Sequence, residues 1–348
     1  MIEHRTESFD GTDVDLVTIH NGPWKAVVTN LGARLTELHV PGRNGETADV
    51  VLQRPTLKEM AHDDNYFGAT AGRYANRIRN GRFTLDGAEV RLGINEGQNH
   101  LHGGITGFDR FRWQTHVDHQ MDSVRFSRIS PDGEEGFPGN LDTRVTYTLA
   151  PPALLIEIRA TADASTIANI VNHAYFNLGG HDSGTVLDHV VRMRSSFYTP
   201  VDDELLATGE VRTVEATPFD FRTATPIGAR LDQIHNGAAG RQTDRSAGYD
   251  HNFVLDGTGM REVFEATDPA SGRRLILSTD QPGLQFYTGG YLHGVTAKPP
   301  LEAYPAHAGF TLETQTFPDS PNFAHFPSPR LDPGQTYQNS IRLEFATV

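Results

Sequence analysis

The chain has 348 residues, 37% of them hydrophobic, with no Cys, 16 His, and 44 acidic against 30 basic side chains for a formal net charge of −14. Without a thiol there is no disulfide framework, no Cys-ligated zinc or iron–sulfur centre and no cysteine nucleophile, so catalysis would fall to His, Asp, Glu, Ser, Thr, Tyr or Lys. The acidic balance, with no Lys/Arg-rich run, offers no footprint for a phosphate backbone; it disfavours nucleic acid as a partner and favours a neutral ligand.

Met1-Ile2-Glu3-His4-Arg5-Thr6-Glu7 carries charges where a secretory leader needs an apolar stretch, and no run of about 18 apolar residues occurs anywhere. A cytoplasmic enzyme or binding protein, without membrane contact, is therefore expected. The first alternating, β-branched segments are 14–19 and 26–29. Thr56-Leu57-Lys58-Glu59 has capping-box spacing and predicts one short helix running to about His62. Asp86-Gly87, between Phe83-Thr84-Leu85 and Ala88-Glu89-Val90, predicts a two-residue hairpin. Further strands are expected over 123–127, 143–149, 155–160 and 274–279. The 34 Gly and 20 Pro punctuate the chain instead of gathering in a linker, and helical periodicity is scarce, so an all-β, large antiparallel β-sandwich with few short helices is predicted. His102-Gly103-Gly104 lacks phosphate-loop spacing, and no nucleotide cofactor is indicated.

Four polar clusters interrupt the strand-like segments: Asn99-His100-Leu101-His102-Gly103-Gly104, Asn172-His173-Ala174-Tyr175-Phe176-Asn177-Leu178, Gly248-Tyr249-Asp250-His251-Asn252-Phe253 and Leu312-Glu313-Thr314-Gln315-Thr316-Phe317-Pro318-Asp319. Gly72-Arg73-Tyr74-Ala75-Asn76-Arg77-Ile78 adds guanidinium donors. Any one of these histidines is open to a purely structural reading. His100 and His102 alternate as two metal ligands on one strand face would, but glycines follow where a third ligand is needed. Adjacent strand residues face opposite ways, so of Asp250 and His251 one is expected in a pocket and the other in the packing. Glu313, flanked by Leu312 and Phe317, is a candidate for a buried carboxylate whose raised pKa suits a base; a core ion pair would look the same.

In this order, and with Gln285-Phe286-Tyr287-Thr288-Gly289, the clusters resemble the aldose 1-epimerase (galactose mutarotase) family from Asn30-Leu31-Gly32-Ala33 to 331–337. The resemblance implies a mutarotase-like β-sandwich in which residues 1–348 form a single domain with an open sugar cleft. It implies Glu313 as general base, His173 as general acid, and Asn76, Arg77, His102, Asp250 and Gln285 as substrate-binding residues, with no metal and no cofactor. The partner it implies is a neutral monosaccharide, and the protein a monomer or simple homodimer. Phe286, Tyr287 and Tyr249 are each open to a role against the sugar or in the core. Two other functions are weighed: a non-catalytic carbohydrate-binding protein, and a glycosidase using Asp250 and Glu313 as its carboxylate pair.

Overall fold

The computed structural model describes residues 1–9, 11–234 and 248–348. Strands with strict alternation build its largest sheet. In Leu141–Ala150 the buried positions are Leu141, Thr143, Val145, Tyr147 and Leu149, and every second residue between them is open to solvent. Nine strands pair antiparallel in the order Gln114–Asp118, Ser123–Ser130, Leu141–Ala150, Ala153–Ala162, Tyr337–Thr347, Arg273–Thr279, Arg261–Thr267, Val190–Met193 and Thr225–Pro226. A six-stranded sheet runs Tyr175–Phe176, Phe310–Gln315, Gly283–Tyr287, Asp250–Leu255, Ser195–Thr199 and Arg212–Thr213. A five-stranded sheet takes the N-terminal strands from Ile2–Phe9 to Thr47–Asp49 in chain order.

One hydrophobic cluster joins all three. It contains Val17 and Val28 from the N-terminal sheet, Val145, Ile156 and Leu343 from the nine-stranded sheet, and Phe253, Leu284, Phe286, Phe310 and Leu312 from the six-stranded sheet. Each such side chain, taken from water to near-zero exposure, contributes about 1.5–3 kcal/mol. Period two then dictates what the opposite face of the six-stranded sheet carries: Asp250, Asn252, Gln285, Tyr287, Thr311, Glu313 and Gln315. The antiparallel sandwich expected from the sequence is the fold observed.

The local expectations hold as well. The helix is Leu57–Ala61, with Thr56 as N-cap accepting from the Glu59 N–H at 3.2 Å and His62 as C-cap. Asp86 and Gly87 both take positive φ, 51° and 80°, as a type I′ turn demands between Arg82–Leu85 and Ala88–Arg91.

Candidate active site

The polar face of the six-stranded sheet forms the floor of a cleft. Register sets its order: Gln285 stands between Glu313 on one side and Asn252 on the other, and Tyr287 between Thr311 and Asp250. Gln285 Nε2 donates to Asp250 Oδ1 at 2.6 Å. Gln315 Nε2 donates to Asn252 Oδ1 at 3.2 Å and to Gln285 Oε1 at 3.3 Å, so an amide chain braces Asp250 from below.

The walls come from very short strands. Val171–Asn172 pairs with Thr70–Ala71 and delivers His173; Arg77–Ile78 pairs with His100–Leu101 and delivers Arg77 and, just past the strand end, His102. Asn76 and His102 both occupy the left-handed region, φ 63° and 50°, which costs energy for non-glycine residues and is concentrated at functional sites. Gly103 follows with φ +96°, and a Cβ there would stand 1.7 Å from the Gly72 carbonyl oxygen, so only glycine lets the chain turn directly behind His102. The resulting cleft of about 170 Å³ is lined by Asn76, Arg77, His102, His173, Asp250 and Glu313, with Asp64, Asn65, Tyr66, Leu101, Tyr175, Tyr287 and Tyr291 around them.

Glu313 and His173 are 2% and 4% exposed, and Glu313 Oε1 lies 3.5 Å from His173 Nε2. Burial, reinforced by the Asp250 carboxylate, pushes the Glu313 carboxyl up to about 8, against the opposing Thr311 hydrogen bond and the Arg77 charge. Burial likewise holds the His173 imidazole down, at about 4. Glu313 Oε2 and His173 Nδ1 are buried without a hydrogen-bond partner among the described residues. Arg77 is buried too, yet its guanidinium is raised because the Glu96 carboxylate and Asp250 outweigh that burial. The Asn76 N–H donates to His102 Nδ1 at 3.2 Å, so the neutral ring carries its proton on Nε2; burial, His173 and Arg77 keep it from charging.

Residues 15–344 match the sequence profile of the family described as aldose 1-epimerase. The chain belongs to that family. It is 42% identical to galactose mutarotase of Bos taurus over 92% of this chain and 91% of that one. It is 41% identical to galactose mutarotase of Homo sapiens over 97% and 96%. The solved structure of an aldose epimerase homologue from C. elegans superposes with a TM-score of 0.86 at 31% identity, covering 96% of this chain and 99% of that one. As an aldose 1-epimerase family member the chain is an isomerase, and neither the non-catalytic carbohydrate-binding protein nor the glycosidase finds support among these relatives.

Six of the seven site residues named from the sequence line this cleft, and the seventh, Gln285, lies beneath it holding Asp250. His100 points elsewhere: Nδ1 bonds the Gly93 carbonyl at 2.7 Å and its ring packs on Phe137. The alternation that would pair it with His102 fails because His102 has already left extended geometry. His251 packs on Phe219 and Tyr198 while Asp250 lines the cleft, as opposite strand faces require. Of the three undecided aromatics, Tyr249 and Phe286 are core and Tyr287 lines the cleft.

His102, His173 and Glu313 bring ligating atoms within 4.8 Å of one another. A metal would need the lone pair of His102 Nε2, the nitrogen that the Asn76 bond leaves protonated, and metal-bound imidazoles hand their other N–H to an acceptor that His173 Nδ1 does not have among the described residues. The donor set suits hydroxyl recognition and proton transfer. A larger recess, about 680 Å³, lies against the N-terminal sheet, but the anions in it are taken, Glu37 by Lys25 at 2.7 Å and Asp49 by Lys298.

Proposed function

We propose that the protein interconverts the α and β anomers of a free, neutral aldose, with Glu313 as general base, His173 as general acid, and Asn76, Arg77, His102 and Asp250 holding sugar hydroxyls while Gln285 fixes Asp250. The observation that carries the reading is the buried contact of 3.5 Å between His173 Nε2 and Glu313 Oε1, at the bottom of a cleft otherwise lined by hydroxyl-binding groups.

Ring opening requires that the C1 hydroxyl lose its proton while the ring oxygen gains one. Glu313 takes the first and His173 gives the second, so the pair starts with the proton on His173 and finishes with it on Glu313. No net proton leaves the site, and no electron is transferred. The starting arrangement is a buried ion pair and the finishing one is neutral, so burial favours opening once the pair has formed and opposes closure equally, while in the free site the proton rests mostly on Glu313. The free aldehyde therefore forms beside the protonation state that burial prefers. Rotation about C1–C2 presents the other carbonyl face, and closure runs the two transfers backwards.

His102, fixed as an Nε2–H donor, is suited to a hydroxyl oxygen; Asp250 suits a hydroxyl hydrogen. Neutral sugars fit a chain of net charge −14, in which a sugar phosphate would meet Asp250 and Glu313. The shared core supports residues 1–348 acting as one domain.

Polarimetry of freshly dissolved α-D-glucose and α-D-galactose tests this. Wild type should speed equilibration, and Glu313→Gln and His173→Asn should each lose about 10²-fold or more of kcat, the scale of general acid–base assistance. Undiminished rates in Glu313→Gln would refute the base assignment.

A further inference from the structure

Glu96 does not line the cleft, and its side chain is 34% exposed, yet it grips the most buried cation of the site. Oε2 accepts from Arg77 Nε at 2.7 Å and Oε1 from Arg77 Nη2 at 2.6 Å, a bidentate fork that leaves Nη1 without a carboxylate among the described residues. The turn that presents Glu96 is itself built in place. The Glu96 N–H donates to the Asn99 carbonyl at 3.1 Å and the Asn99 N–H returns to the Glu96 carbonyl at 2.7 Å. Asn95 Nδ2 ties the same turn to the carbonyls of Leu101 and Gly104, on either side of His102 and Gly103. Ordinary surface ion pairs lack this scaffolding.

We propose that Glu96 is a positioning residue of the sugar site: it holds the Arg77 guanidinium in one plane and compensates its charge, so that Arg77 meets a sugar hydroxyl in a single orientation. This rests on the sugar-binding role proposed for Arg77. It also reaches the base. The groups facing Glu313 are His173 and His102, Asp250, Arg77 and the phenols of Tyr175 and Tyr287. Among them Arg77 favours the ionised carboxylate and Asp250 opposes it. By compensating Arg77, Glu96 tips that contest toward the protonated acid.

The experiment compares wild type with Glu96→Gln, Glu96→Asp, Arg77→Met and the Arg77→Met/Glu96→Gln double variant. Glu96→Gln should raise KM about fivefold or more with kcat within about twofold of wild type, the loss expected when an ion-paired fork becomes one hydrogen bond to an uncharged amide oxygen. Glu96→Asp should recover part of that loss, and Glu96→Gln should add nothing once Arg77 is gone. In sugar-free protein, ¹³C-carboxyl NMR should find Glu313 titrating at lower pH in Glu96→Gln than in wild type. That titration needs no turnover, so it decides the matter even if wild type proves inactive on aldoses. An unmoved Glu313 titration, or an equal KM penalty in the Arg77→Met background, overturns the proposal.

Discussion

Thr311 Oγ1 donates to Glu313 Oε1 at 3.0 Å, a bond that favours the ionised carboxylate and opposes the burial that pushes it up. With Glu313 at about 8 and His173 at about 4, the pair carries one proton over the intervening range, and the proposed ring opening and closure both need that count. The profile of kcat/KM against pH should then be a bell whose limbs belong to the pair. The acid limb marks arrival of a second proton and the alkaline limb loss of the last. Thr311→Val removes about 1 kcal/mol of preference for the ionised form, so the alkaline limb should move up by about half a unit to one unit. A limb that stays or moves down would show that the hydroxyl does not set this balance. Glu313 and His173 stood out in the sequence through the family resemblance of the motifs that hold them, and Glu313 also as a candidate buried carboxylate between Leu312 and Phe317. Thr311 and Glu96 were not. Thr311 matters only through the strand face it shares with Glu313, and Glu96 reaches Arg77 from 19 residues away through a turn with no signature of its own.

At the scale of elements, period two was read in parts of the N-terminal and nine-stranded sheets, over 14–19, 26–29, 123–127, 143–149, 155–160 and 274–279, while of the six-stranded sheet the sequence showed only that Asp250 and His251 face opposite ways and that Glu313 stands among apolar residues. Pairing register was not readable, although it alone sets Gln285 between Glu313 and Asn252. Nor were Arg77–Ile78 and His100–Leu101, two residues each and too short for any period to appear. What the walls depend on is backbone: the left-handed step at His102 and the contact of Gly103 with Gly72. Gly103→Ala should therefore displace His102 by pressing a methyl group on a carbonyl 1.7 Å away, lowering kcat/KM by about 10-fold to 100-fold as well as stability. Gly45→Ala is the control. It also has positive φ, +85°, but nothing within 4 Å of the added Cβ, so it should cost about 1 kcal/mol of stability and leave activity intact. Equal activity losses in the two variants would mean that backbone strain in general, and not the seat of His102, limits catalysis.

Across the whole molecule, the sequence supplies a count of 16 histidines, and only the packing says which of them meet water. Burial holds His100, His173, His189 and His251 at about 4 and His102 well below its ordinary value, five rings that fold neutral and are free to charge near 6.5 once unfolded. Over that interval the unfolded chain binds more protons than the folded one, so stability falls as pH drops from about 6.5 toward about 4. The slope approaches about 1.4 kcal/mol per pH unit for each ring. Glu313 works in the opposite sense, since its raised value makes the folded state the better proton binder below about 8, and burial raises Asp109 and Asp319 in the same direction from a lower start, but these three acids face five rings. Urea midpoints should accordingly change little from pH 8 to 7 and fall steeply between pH 6.5 and 5 at constant m-value. His251→Phe places an apolar ring among Phe219 and Tyr198 and should flatten that fall by about one proton's share. A midpoint independent of pH down to 5 would mean that the buried rings are already charged in the folded sandwich.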